Sequence, residues 1–116
     1  MTLGVFVTGT DTGVGKSLAS AALLHALARH HTRVVGMKPV AAGAELHGSQ
    51  LANEDAIALR AASTVAVPPE LDNPVLLPDP LSPHIAAARA GTAISIPAIV
   101  QSYRQLATRA DAVVVE

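Results

Sequence analysis

The chain has 116 residues and a formal net charge of −1, which suits one small domain and offers no basic surface to DNA or to an anionic membrane. Hydrophobic residues make up 50% of it, enough for a core, whereas aromatics make up 2%, which argues against the base-stacking platforms of nucleic-acid binders. Cysteine is absent, which excludes a disulfide framework or thiolate metal site and fits a reducing cytoplasm; no segment is long enough to span a bilayer, and the first apolar run is too short for a signal peptide.

That first run, Leu3 to Thr8, reads as a buried parallel strand. It leads into GTDTGVGKS, Gly9 to Ser17. The stretch has the look of a phosphate loop, but the spacing differs from G-x-x-x-x-G-K-[ST]: the first glycine belongs at position 10, where Thr10 stands. Leu18 to Arg29 is rich in Ala and Leu and predicts a helix. A strand turning through glycines into a helix N-terminus is an anion site. Gly13 and Gly15 let backbone N–H groups approach phosphate oxygens, Lys16 can reach the terminal phosphates, and Ser17 can offer its hydroxyl to Mg²⁺. The competing reading is a plain turn with an exposed lysine.

Arg33 to Lys38 predicts a second strand, stopped by Pro39. Ala41 to Gly48 reads as a loop, and Asn53 to Ala62 as a helix with Ala56, Ile57 and Leu59-Arg60 giving an apolar face. From Pro68 to Pro83 the proline-studded chain is expected to form no regular element. Ser82 then reads as an N-cap with Pro83 in the first turn of a helix that stops near Gly91. Pro97 to Arg109 predicts another helix, with Ile99, Val100, Tyr103, Leu106 and Ala107 along one side. Asp111 to Glu116 predicts a third buried strand.

Strands alternating with helices imply an α/β fold with a parallel sheet and crossover helices. Ligands of such sheets bind at the carboxyl ends of the strands. Those ends carry the glycine loop, Lys38 and Glu116. Because the sequence stops on an apolar strand, residues 1–116 are expected to be the N-terminal portion of one longer ATP-binding domain, with an open edge on that last strand.

Several stretches, in order, resemble the dethiobiotin synthetases. They are the variant glycine loop after a Val-Thr strand end, Lys38-Pro39-Val40-Ala41, the acidic helix start Asn53-Glu54-Asp55-Ala56, Asn73-Pro74 with Leu81-Ser82-Pro83-His84, and Val113-Val114-Val115-Glu116. The resemblance implies a P-loop NTPase-like three-layer sandwich and an ATP- and Mg²⁺-dependent ligase of biotin synthesis. Its substrates would be 7,8-diaminononanoate, CO₂ and ATP, and its assembly a homodimer. It assigns catalysis to Lys38 and Lys16. Nucleotide binding falls to Gly13, Val14, Gly15, Lys16, Ser17, Leu18, Asp55 and Glu116, and Mg²⁺ to Ser17, Asp55 and Glu116. Substrate contact is assigned to Thr12 and, through its backbone, to Ala42, which stands where the family often has serine or threonine. Position 13 is glycine where some relatives are acidic, and the family's Gly-Ala-Gly-Gly segment after the last strand is not in the sequence.

Each site residue also has an ordinary reading. Lys38 suits a surface lysine, Asp55 the positive end of a helix dipole, and Glu116 a solvated chain end. His84 suits a structural role, and His25, His30, His31 and His47 read as solvated. Two other functions share the glycine loop. One is a partition or division-site switch ATPase, which usually carries an extra signature lysine that Gly9-Thr10-Asp11-Thr12 lacks; the other is the related domain of cobyrinic acid amidating enzymes or phosphotransacetylases.

Overall fold

The computed structural model describes residues 1–9 and 15–116. Thr12, Gly13 and Val14, three of the residues assigned to the site, lie outside the described residues. Three short parallel strands, β1 (Leu3–Phe6), β2 (Val34–Met37) and β7 (Ala112–Val115), form the main sheet in the order β1-β7-β2. Helix α1 (Lys16–Leu27) follows β1, and α2 (Glu54–Ala62), α3 (Pro69–Asp72), α4 (Pro83–Ala90) and α5 (Ile96–Ala107) fill the long return from β2 to β7.

Alternation along the strands builds two cores. Val34, Ala112 and Val114 meet Leu24 of α1 and Leu59 of α2 on one face. Val35, Met37 and Val113 meet Leu71 of α3 and Leu106 of α5 on the other. The chain is therefore an α/β fold with helices on both faces of a parallel sheet, as expected.

Gly36 explains how closely α1 and α2 approach β2. A Cβ placed there would stand 2.8 Å from Leu59 Cβ and 3.1 Å from Leu24 Cδ1. Both neighbours are buried core atoms. Gly36→Ala is expected to cost about 1–3 kcal/mol by overpacking. A urea denaturation midpoint equal to that of the native protein would contradict this account.

Four expectations need correction. The expected loop at residues 41–48 contains β3 (Val40–Ala42) and β4 (Glu45–His47), the latter paired antiparallel with β5 (Gln50–Ala52). The proline-studded stretch holds α3 and β6 (Val75–Leu77), and β6 pairs in parallel with β3 in a small second sheet covered by α4. The prolines sit at element boundaries, where a missing N–H costs nothing: Pro69 opens α3, and Pro74 and Pro78 flank β6. The edge strands of the sheet are β1 and β2, not β7. The return crossover inserts β7 between β1 and β2, so Ala112, Val113 and Val114 are fully buried, while Leu3 and Phe6 of β1 are exposed. Val100 of α5 is also exposed, because the buried stripe runs through Ile99, Tyr103 and Leu106.

Candidate active site

Register brings the site together. Met37 of β2 pairs with Val115 of β7, so the next residues on the two strands, Lys38 and Glu116, leave the sheet side by side. Phe6 of β1 pairs with the same Val115, so the loop that leads to α1 emerges at the same edge. Gly15 is the residue before α1 and has φ +87°. This left-handed conformation is one that glycine takes without strain. It directs the chain into α1, whose first two residues are Lys16 and Ser17.

Asp55 reaches the edge from the first turn of α2. Asn53 caps that helix, its Oδ1 accepting from Asp55 N at 2.9 Å and from Ala56 N at 3.3 Å. Its Nδ2 donates to the carbonyls of Ala42 and Gly43. Asn53 is buried and so ties the start of α2 to the end of β3.

The polar groups converge. Lys38 Nζ lies 3.2 Å from Asp55 Oδ2 and 3.4 Å from Glu116 Oε1. The Ser17 hydroxyl donates to Glu116 Oε1 at 2.8 Å. It is also a hydrogen-bonding neighbour of Asp55, and its single proton serves one carboxylate at a time. Burial pushes Asp55 up, but the hydrogen bonds from Ser17 and Lys38 and the charges of Lys38 and Lys16 outweigh it. They hold its carboxyl below the usual carboxylate range. The Glu116 side chain is 1% exposed, so it is not a solvated chain end. Its Oε2 is buried with no hydrogen-bond partner among the described residues, an unusual position for a carboxylate oxygen.

These residues border an open cleft of about 890 Å³, a size that takes a small-molecule ligand. Lys16, Ser17, Lys38, Asp55 and Glu116 line it. Leu18, largely exposed, and Ala42 also line it, although the Ala42 carbonyl is already engaged by Asn53. Pro80 to Pro83, from the proline-studded connection, complete the lining together with Gly15, Val40 and Asn53. Ser82 occupies the N-cap of α4, but its side chain makes no capping bond. His84, His25, His30 and His47 are exposed and His31 is half-buried.

Sequence reasoning did not single out Asn53 as a staple or Asp72 at all; it took Arg60 with the apolar face of its helix and Asn73 only as part of the resembling Asn73-Pro74 pair. Only Asn53 carried a readable sign, an Asn directly before an acidic helix start.

A family model described as an AAA domain matches residues 3–116. The chain belongs to that family. Within it, the chain is 56% identical over 111 residues to the ATP-dependent dethiobiotin synthetase of Ralstonia nicotianae, covering 96% of this chain and 48% of the relative. It is 51% identical over 111 residues to the protein of the same name from Xanthomonas axonopodis pv. citri, covering 96% of this chain and 50% of the relative. This AAA-domain chain thus spans about half the length of the curated relatives it matches.

Proposed function

We propose that residues 1–116 supply the ATP-binding and phosphoryl-transfer part of an ATP-dependent dethiobiotin synthetase. The observation that carries the reading is the convergence of Lys38, Ser17, Asp55 and Glu116 at the phosphate-loop edge of the sheet. The identities to proteins of that name support it. In this reading the protein is a cytoplasmic homodimer and acts on 7,8-diaminononanoate, CO₂ and ATP.

The reaction has three bond-forming steps. One amine of the diamine adds to CO₂ and loses a proton, giving a carbamate. A carbamate oxygen then attacks the γ-phosphorus, and ADP leaves. Finally the second amine attacks the activated carbonyl carbon, inorganic phosphate leaves, and a cyclic urea remains. None of these steps needs a protein nucleophile. They need reactants held in line and negative charge offset.

Lys16, at the N-terminus of α1, binds the terminal phosphates in this scheme, with Gly13, Val14, Gly15 and Leu18 around the nucleotide. The Lys38 ammonium faces the carbamate and the phosphoryl group in transfer. In the same scheme, contact with the diamine is assigned to Thr12 and the Ala42 backbone. Ser17, Asp55 and Glu116 form a hard-oxygen set suited to Mg²⁺, and the buried Glu116 Oε2, without a hydrogen-bond partner among the described residues, fits a cation ligand. When bound, Mg²⁺ offsets charge on the phosphate oxygens.

The full-length protein, given diaminononanoate, bicarbonate and MgATP, is expected to yield one cyclic urea per ADP, read by mass spectrometry. ATP hydrolysis indifferent to the diamine, with no ureido product, would sink the proposal.

A further inference from the structure

Two of the buried polar residues are consecutive: Asp72 is 3% exposed and Asn73 8%. Buried polar groups are stable only when bonded, and here the bonds lead to one place. Lys38 N donates to the Asp72 carbonyl at 2.7 Å. Asn73 Nδ2 donates to the Lys38 carbonyl at 2.8 Å and to the Val75 carbonyl at 3.2 Å. Both backbone polar groups of Lys38 are therefore held by the two residues at the end of α3.

This grip has its own anchor. Helix α3 has four residues, too few to hold its shape alone. The Asp72 carboxylate is held by a two-bond fork from Arg60, Nε to Oδ2 at 2.8 Å and Nη2 to Oδ1 at 2.9 Å. Arg60 belongs to α2, the helix that presents Asp55 to the Lys38 ammonium. So α2 constrains Lys38 twice, at the ammonium through Asp55 and at the backbone through Arg60, Asp72 and Asn73. Pro39 adds to this by disfavouring helical backbone at Lys38. A lysine ammonium ends a flexible four-carbon stem, so a tilt of the backbone is magnified at Nζ.

We propose that Asn73 and the Arg60–Asp72 pair are positioning residues for Lys38, fixing its backbone so that the ammonium points between Asp55 and Glu116. Their catalytic consequence rests on the role given to Lys38 above. None of the three residues lines the cleft itself, and none is expected to contact substrate.

The test uses the full-length protein with isotope-labelled lysine. The Lys38 side-chain NMR resonance, assigned by its loss in Lys38→Arg, is recorded together with ATP affinity and kcat. Asn73→Ala is expected to move that resonance and to lower kcat about tenfold or more, the effect of a misplaced reacting group, with ATP affinity unchanged. Arg60→Lys keeps Asp72 paired but trades the fork for a point charge; it should move the resonance the same way by less, and it serves if Asn73→Ala does not fold. The control is Thr64→Ala, which removes a similar staple from the other end of β2, where Thr64 Oγ1 accepts from Val34 N at 2.8 Å. It should leave both the resonance and kcat unchanged. An unmoved Lys38 resonance or an unchanged kcat in Asn73→Ala overturns the positioning role, and so does an equal effect of Thr64→Ala. The resonance is read without substrate, so a native protein that formed no cyclic urea would overturn the assigned reaction and leave the positioning role to be decided by the spectrum.

Discussion

Lys38→Ala is expected to lower kcat by about a hundredfold or more, the scale of losing one preorganised charge-stabilising group, while ATP affinity stays close to native. Lys16→Ala is expected to weaken ATP binding as well as turnover. The difference follows from position. Lys16 is the first residue of α1, directly after the left-handed turn at Gly15, where bound phosphates meet the helix N-terminus. Lys38 stands a strand away, between Asp55 and Glu116. In the scheme proposed above it acts on charge that develops as the carbamate takes the phosphoryl group. An interaction made only in the transition state lowers kcat when removed, and one made equally with bound nucleotide shows in affinity. Calorimetric titration with ATP, alongside single-turnover kinetics, separates the two variants. If both bound ATP equally poorly, Lys38 would be a nucleotide-binding residue and its distinct role would be lost.

Lys38 and Glu116 were legible in the sequence because each ends an apolar run. Arg33 to Lys38 stops at Pro39, and Asp111 to Glu116 is a plain valine strand, so the general rule about strand ends was enough to bring Lys38 and Glu116 to one edge. Asp55 became a candidate only through the resemblance, since an aspartate in an acidic first turn is more simply read as favouring the helix dipole. The strand order was not legible. Short valine runs carry no information on which neighbour they choose, and the insertion of β7 between β1 and β2 puts the last strand in the middle of the sheet and leaves the first two at its edges. The three-residue strands β3 to β6 were hidden for a related reason: alternation cannot be recognised over so few residues. The prolines around β6 looked like breakers because a count of prolines does not distinguish a boundary from an interior. The Arg60–Asp72–Asn73 network lay furthest from view. Its members come from two elements, and their meeting depends on how α3 packs against β2, which no local pattern encodes.

Arg60→Ala is expected to produce a large loss of stability, about 3 kcal/mol, near the lower end of what breaking a buried ion pair costs. The Asp72 side chain is 4% exposed, so its carboxylate would lose both charge-assisted bonds and stay buried. Arg60 itself is 33% exposed, which is why the lower end of the range applies. Its hydrogen bonds to Asp72 raise the guanidinium further above its already high value, against the opposing effect of burial. The other arginine–aspartate pairs provide the comparison. Arg33–Asp111 and Arg89–Asp79 have arginines that are 55% and 65% exposed, and pairs of that kind contribute little. Arg33→Ala and Arg89→Ala should therefore leave the urea midpoint nearly unchanged. Replacing both partners, as in Arg60→Met with Asp72→Leu, removes the stranded charge and should recover much of the loss. That double variant still lacks the fork that orients α3, so its Lys38 resonance should remain displaced even where its stability returns. A urea series in which Arg60→Ala cost no more than Arg33→Ala would show that the carboxylate finds another partner, and the anchor assigned to α3 would have to be abandoned.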